Sequence, residues 1–268
     1  KGIKMKTKKT RIIITYIVLF TLLLGAILLS LYIGSVSIAP RQVFSVLTGH
    51  GTDAKTMQII LSIRLPRVLA AAILGGALAV SGFLLQIFFR NPIAGPFVLG
   101  ISSGAKLVVA LAMIVGVSHG ITMSSWFMIA MALIGSLLSM LFVLSVSKKV
   151  QEMSMLVVCG VMIGYICSAI TDIAVTFADD SNIVNLHNWS QGSFSGMNWS
   201  NILMIFILTL LSFLAAMFLA KPIGAYQMGE TYARNMGVNI TVLRVSLILL
   251  SSLLSACVTA FAGPISFV

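Results

Sequence analysis

The side chains of this chain that could do chemistry are few and widely spaced. Its 268 residues include only six acidic residues and three histidines. His50, His119 and His187 are scattered, and no pair of carboxylates shares an apolar run. General acid–base catalysis needs positioned proton donors and acceptors, and a metal centre needs several ligands at short spacing. Neither pattern is present. Cys159, Cys167 and Cys257 each lie inside an apolar segment without paired metal-ligand spacing, and read as small buried hydrophobes. No glycine-rich loop ends in Gly-Lys-Ser or Gly-Lys-Thr, so no nucleotide-binding motif of that kind is visible. If such a chain moves a solute uphill, the energy comes from an ion gradient or from another polypeptide.

Gradient coupling calls for several intramembrane carboxylates or for pairs of interrupted spans. Apart from Arg244 near the start of the last apolar run, only Asp172 and Lys106 lie within such runs. Asp172 sits near the end of its run, at an interface. Lys106 falls near the middle of its run by count, where a buried charge costs about 3 kcal/mol. It either faces a cavity or snorkels to an interface. A proton- or sodium-coupled secondary transporter, or a channel, is weakened on these grounds.

The elements that must hold these residues follow from composition. Of the chain, 59% is apolar and 9% charged, with a net charge of +11. Soluble domains carry about a quarter charged residues, so a water-facing globule is excluded. The 17 Lys and Arg are dispersed between apolar runs rather than gathered in a stripe, which argues against nucleic acid. A crossing helix needs about 20 apolar residues. Seven runs qualify: Ile12–Val36, Val68–Phe89, Phe97–Val117, Trp126–Val146, Met155–Phe177, Ile202–Ala220 and Val242–Ala262. They are apolar on every face, whereas strands of a β-barrel alternate. The expected fold is therefore an all-α polytopic transmembrane bundle. The first run exceeds a signal-peptide core and has no cleavage signal, so it is expected to be retained.

Counting basic residues beside the runs gives the orientation. With the N-terminus inside, the inner side receives Lys1, Lys4, Lys6, Lys8, Lys9, Arg11, Arg90, Lys148, Lys149, Lys221, Arg234 and Arg244. The outer side receives only Arg41, Lys55, Arg64 and Arg67. This asymmetry predicts a cytoplasmic N-terminus. The outer segments are then Ser37–Arg67, Ser118–Ser125 and Ala178–Ser200, and the inner ones Arg90–Pro96, Ser147–Ser154 and Lys221–Thr241. Within the last, Glu230-Thr-Tyr-Ala-Arg234 followed by Gly237 reads as a short amphipathic helix stopped by glycine. Small residues recur at Gly75-Gly76-Ala77, Ser81-Gly82, Gly100, Gly104-Ala105, Gly160 and Gly164, as close helix packing in lipid requires.

Several longer motifs occur in a fixed order. They are Arg64-Leu-Pro-Arg67, then Gln86, Arg90-Asn-Pro-Ile-Ala-Gly-Pro96 and Leu99-Gly-Ile-Ser-Ser-Gly-Ala105. Trp189-Ser-Gln-Gly-Ser-Phe-Ser-Gly196 with Trp199, Gly229-Glu-Thr-Tyr-Ala-Arg234 with Met236-Gly237, and Ala262-Gly-Pro-Ile-Ser-Phe-Val268 follow. From Arg41 onward the chain resembles the FecCD-type permeases, the membrane subunits of bacterial ABC importers for iron-siderophores, haem and cobalamin. Members of that family have ten spans, and their Gly-Pro-Ile-x-Phe-Val segment leads into a further conserved stretch. The resemblance thus implies about seven spans of a ten-span permease, with roughly the last three lying beyond Val268.

The resemblance also implies a set of roles. Residues 1–268 form one transmembrane permease domain, with 1–11 as a basic cytoplasmic tail and 221–241 as a cytoplasmic coupling loop. Arg64 and Arg67 dock acidic residues of an extracytoplasmic siderophore-binding protein, through charge-assisted pairs that suit arginine. Gly229, Glu230, Tyr232, Ala233, Arg234, Met236 and Gly237 form the helix that couples to a cytoplasmic ABC ATPase dimer. Trp189, Ser193 and Trp199, together with Lys106, are candidate pathway or gate elements. The implied partners are a second permease subunit, the ATPase pair, the binding protein and the lipid bilayer of a bacterial cell membrane, with no nucleic acid. No catalytic or metal-binding residue and no cofactor is expected in this chain, ATP and Mg being held by the ATPase. The expected function is ATP-driven import of an iron(III)-siderophore complex by alternating access. Haem or cobalamin import with the same architecture is the alternative. A seven-helix scaffold or sensor is disfavoured by the coupling-like loop.

Overall fold

A computed structural model describes residues 2–50, 53–92, 94–96, 100–118, 125–147, 153–178 and 180–265. The regular structure among them is helical throughout. Among the described residues six helices are long and apolar enough to cross a membrane, and a seventh, over Ile101–Gly116, is apolar but shorter. The expected all-α polytopic bundle is thus the observed class, and the helices are α1 (Gly2–Tyr32), α4 (Leu65–Phe89), α5 (Ile101–Ser118), α6 (Ser125–Ser147), α7 (Met153–Thr176), α9 (Trp199–Phe218) and α12 (Ile240–Ala262). Between them lie the shorter α2 (Pro40–Leu47), α3 (Ala54–Gln58), α8 (Asp180–Ser190), α10 (Ala220–Gln227) and α11 (Glu230–Asn235).

Helix α1 already begins at Gly2, ahead of its apolar run, and two further differences from the sequence reading bear on the site. Residues 54–67 are not a loop: α3 runs through a π-helical turn, Ile59–Arg64, into α4, giving a continuous apolar helix Ala54–Phe89 of 36 residues. Such wide turns are rare and concentrate at functional sites. The third span starts later than expected because Gly100 adopts φ +66°, which ends any helical path into it. Residues 97–99 of that expected span lie outside the described residues. What remains, α5, has 18 residues, about 27 Å at 1.5 Å per residue, slightly under the ~30 Å hydrocarbon core.

The chain divides into two compact units, Lys1–Ala70 with Met197–Trp199, and Ala71–Gly196 with Ser200–Val268. The core of the first unit is Leu31, Ile38, Val43, Val46, Ile60 and Val68, which joins the end of α1 to α2 and to the π-helical turn. In the second unit α5 crosses α6 at Gly104 and Gly135. A Cβ on Gly104 would lie 2.8 Å from the Gly135 carbonyl oxygen, so no side chain fits. Gly100 similarly abuts α7, where a Cβ would come 3.0 Å from the Gly160 carbonyl oxygen. Ser81 of α4 hydrogen-bonds the Ser251 and Ser255 hydroxyls of α12 at 2.8 and 2.7 Å, a fully buried polar seam. By contrast, a Cβ on Gly75, Gly76 or Gly82 would meet nothing within 4 Å, so no other described helix of this chain crosses closely there.

Candidate functional site

The short helix expected between the last two spans is present as α11, and backbone chemistry fixes both its ends. Gly229 precedes it with φ +133°, and Gly237 ends it with φ +81°. Gly237 N–H donates to the Arg234 carbonyl and Val238 N–H to the Ala233 carbonyl, both at 3.0 Å, the paired bonds of a Schellman stop. Asn239 then caps α12 by accepting from Val242 N–H at 3.1 Å. This stretch of chain is therefore pinned between two glycines and an asparagine cap.

The faces of α11 differ. Ala233 is fully buried, while Tyr232 and Met236 are exposed and the Arg234 side chain is 67% accessible. Glu230 turns inward. Its two oxygens each accept from an arginine at 2.9 Å, Oε1 from Arg234 of the same helix and Oε2 from Arg244 of α12. The hydrogen bond from Arg234 holds the Glu230 carboxyl below the usual glutamate range; partial burial opposes this, and the charges of Arg244 and Arg90 add to it.

The cluster extends further. Arg244 Nε donates to the Tyr226 hydroxyl at 3.4 Å, and Tyr226 of α10 is 1% exposed. Above its ring lies the Arg90 guanidinium, 4.6 Å from the centroid, a cation–π geometry. Arg90 follows α4 with φ +51°, where glycine is the ordinary choice. Asn91 N–H donates to the Gln86 carbonyl at 3.1 Å and Arg90 N–H to that of Ile87 at 3.3 Å, so an arginine occupies the glycine position of a helix stop. Sequence reasoning does not single out Arg90, Tyr226 and Arg244 for this role. Arg244 carries one signal, a charge within an otherwise apolar span; Tyr226 carries none, because its partners are remote in the chain.

The first unit treats its arginines differently. Arg64, expected to dock a partner, is only 8% exposed. Its Nη1 donates to the carbonyls of Leu31 and Tyr32 at 2.6 and 2.9 Å, and Nη2 to that of Val36. These are carbonyls at and beyond the end of α1, which lack intrahelical partners. Gly34 leaves room for the guanidinium beside them: a Cβ there would stand 2.7 Å from Arg64 Nη2 and displace it. The side chain that was to reach outward is thus committed inward, because uncapped backbone carbonyls in an apolar setting are stronger claimants than solvent. Arg67, one turn later on the helix, is exposed. Trp199 is half exposed, and its indole donates to the Leu61 carbonyl within the π-helical turn at 3.1 Å.

Two distant motifs meet in the second unit. Trp189 packs against the cluster of Ala105, Val109, Met113, Ala132, Leu186 and Ala260. Ser193 N–H donates to the Ala262 carbonyl at 2.8 Å, and Gly263, at φ +80°, leaves no room for a Cβ, which would come 2.7 Å from the Trp189 carbonyl. The Trp189–Ser193 turn is therefore seated on the end of α12. Residues 266–268 of the second motif lie outside the described residues. Lys106 is half-buried in the second turn of α5, not at mid-span, because that helix starts at Ile101. Among the described residues no group of three or more His, Cys, Asp or Glu could hold a metal ion.

Membrane-length helices, with a two-helix loop between α9 and α12 whose short helix has an anchored and an open face, make this a polytopic membrane protein. The model of the FecCD transport family matches residues 22–268, and the chain belongs to that family. It is 33% identical over 252 residues to a hemin transport system permease protein of Yersinia pestis, covering 92% of this chain and 75% of the relative. It is 34% identical over 248 residues to a vitamin B12 import system permease protein of Klebsiella pneumoniae, covering 92% and 71%. A solved ABC transporter of metal-chelate type in an inward-facing conformation superposes with a TM-score of 0.78 at 28% identity, over 92% of this chain and 77% of that one. The chain is accordingly a permease subunit of an ABC importer.

Proposed function

We propose that this chain forms the membrane path for an iron(III)-siderophore complex entering a bacterial cell, with a second permease subunit beside it. An extracytoplasmic binding protein delivers the cargo, and a separate pair of ATPases, holding ATP and Mg, drives alternation between outward- and inward-open states. Arg67, exposed on the helix that follows the π turn, is the docking cation for the binding protein's carboxylates. The N-terminus lies in the cytoplasm, which puts α11 on the ATPase side.

The observation that carries this reading is the open face of α11. Tyr232 and Met236 are large apolar side chains exposed beside Arg234, on a helix whose other face is already occupied. An aromatic, a thioether and an arginine are residues that interface cores favour. A second reading, haem or cobalamin as cargo, is favoured by what the relatives in Yersinia and Klebsiella are named for.

Co-purification with a candidate ATPase, followed by uptake into liposomes, tests both levels. Retention of the ATPase by the wild type and its loss in a Tyr232→Ala/Met236→Ala variant is expected. Accumulation without any ATPase or nucleotide would overturn the reading. Parallel assays with a ferric hydroxamate, haemin and cyanocobalamin, each with its binding protein, assign the cargo.

A further inference from the structure

By sequence, Glu230 stands at the start of the coupling helix as a favourable charge beside the helix dipole and as part of the ATPase surface. Its contacts put it elsewhere. Both carboxylate oxygens are occupied by arginines of this chain at 2.9 Å, and Arg244 is itself joined to the buried Tyr226 hydroxyl. Tyr226 lies under Arg90, which holds an unfavourable backbone conformation at the end of α4. The chain of contacts runs from α11 to α12, from α12 to α10, and from α10 to the end of α4.

Resting on the function proposed above, we propose that Glu230 is a positioning residue: with Arg244, Tyr226 and Arg90 it ties the coupling helix to the ends of α12 and α4, so that displacement of α11 moves both spans. Three features of the site suit transmission rather than docking. First, Gly229 and Gly237 are backbone joints that break the helical path on both sides of the six-residue helix, so no continuous helix carries its movement into a span. A side-chain tie across those joints is needed for stiffness. Second, the tie is formed of charge-assisted hydrogen bonds, one carboxylate bridging two guanidinium groups through one oxygen each. Third, Arg90 retains φ +51° where strain of about 1–2 kcal/mol is ordinarily relieved by glycine, and such strain persists where surrounding contacts over-determine it. Stacking on Tyr226 is the contact that does so here. The Ser81 seam between α4 and α12 continues the same connection deeper into the bundle.

The test uses the complete transporter in liposomes, with a radiolabelled ferric hydroxamate as probe, or haemin or cyanocobalamin where the wild type accumulates those. For each variant it reads ATPase retained on purification, ATP hydrolysed, and cargo accumulated per ATP. Glu230→Gln and Arg244→Met are expected to retain the ATPase and its hydrolysis while cargo per ATP falls about tenfold, the size of a typical coupling between sites. The double variant is expected to be no worse than the poorer single one, since both remove the same tie. Loss of ATPase retention in step with uptake would overturn the proposal, making Glu230 a docking residue; so would unchanged cargo per ATP, or additive losses in the double variant. Should Glu230→Gln fail to reach the membrane, Glu230→Asp and Arg244→Lys keep both charges and carry the test. A graded fall in cargo per ATP at wild-type ATPase retention supports the tie, and a wild-type ratio overturns it. Failure of the wild type to retain any ATPase would count against the proposed function instead.

Discussion

Two sets of arginines in this molecule meet opposite fates. Arg64 gives its guanidinium to three backbone carbonyls around the end of α1 and is almost wholly buried. Arg234 and Arg244 share one carboxylate and stay partly open to solvent, with side-chain exposures of 67% and 32%. The difference is in the partner. Backbone carbonyls cannot move away without unwinding a helix end, so Arg64 locks a local fold. The Glu230 carboxylate instead joins side chains of α11 and α12, a pairing that can shift without unwinding a helix end. Arginines equally basic in sequence thus cap backbone in one place and bridge side chains in the other.

The comparison can be broken most severely at Arg64. Replacing it with alanine leaves carbonyls at the end of α1 unpaired and should cost about 3 kcal/mol, since bonds to charged groups are each worth roughly 1.5–3. Thermal unfolding in detergent should show it, and Arg64→Lys should rescue little because an ammonium cannot span three carbonyls with a planar fork. If Arg64→Ala unfolds as the wild type does, its burial carries no stability. Next in size is Arg67→Ala, with a roughly tenfold weaker affinity for the binding protein, about 1.4 kcal/mol, and little change in unfolding. A titration of the purified pair measures it, and an Arg64 variant with weakened docking at full stability would reverse the assignment of the two.

The Glu230 cluster should respond mildly in stability, under about 1 kcal/mol, because its pairs are partly solvated. Its pH dependence has a definite sign. The folded carboxyl titrates below the usual glutamate range, so its contribution is fully present above the unfolded value and is lost as pH falls through the depressed folded one. Unfolding midpoints of the wild type and Glu230→Gln should therefore differ at neutral pH and converge on strong acidification. A gap that widens with acid would contradict the pairing. Smallest of all, Trp199→Phe removes one half-exposed hydrogen bond to the Leu61 carbonyl, at about 0.5–1 kcal/mol, readable as a slight shift of the same midpoint.

Much of this architecture is legible without coordinates. Runs of apolar residues without alternation identify spans because lipid offers the backbone no partner, and that constraint leaves helices as the solution. Gly229 and Gly237 are readable as the ends of a short helix, since few residues tolerate such backbone angles. The Gly104 crossing is foreseeable as a small-residue approach, though its partner Gly135 is not. Misplacement comes where a residue's role depends on remote neighbours: Arg64 looks like an outward cation until the end of α1 stands beside it, and Lys106 looks central until α5 is seen to start at Ile101.

Sequence alone determined the class of solvent, the all-helical bundle, the motifs of the family and the position of the short helix α11. These rest on local composition and backbone stereochemistry, which act within a few residues. Only the tertiary structure decided which charges are committed inward and which stay open, that Glu230 faces Arg244 fourteen positions away, and that the Trp189–Ser193 turn sits on Ala262 and Gly263. A charge or a carbonyl takes the best partner within reach in space, and the chain order does not encode that distance.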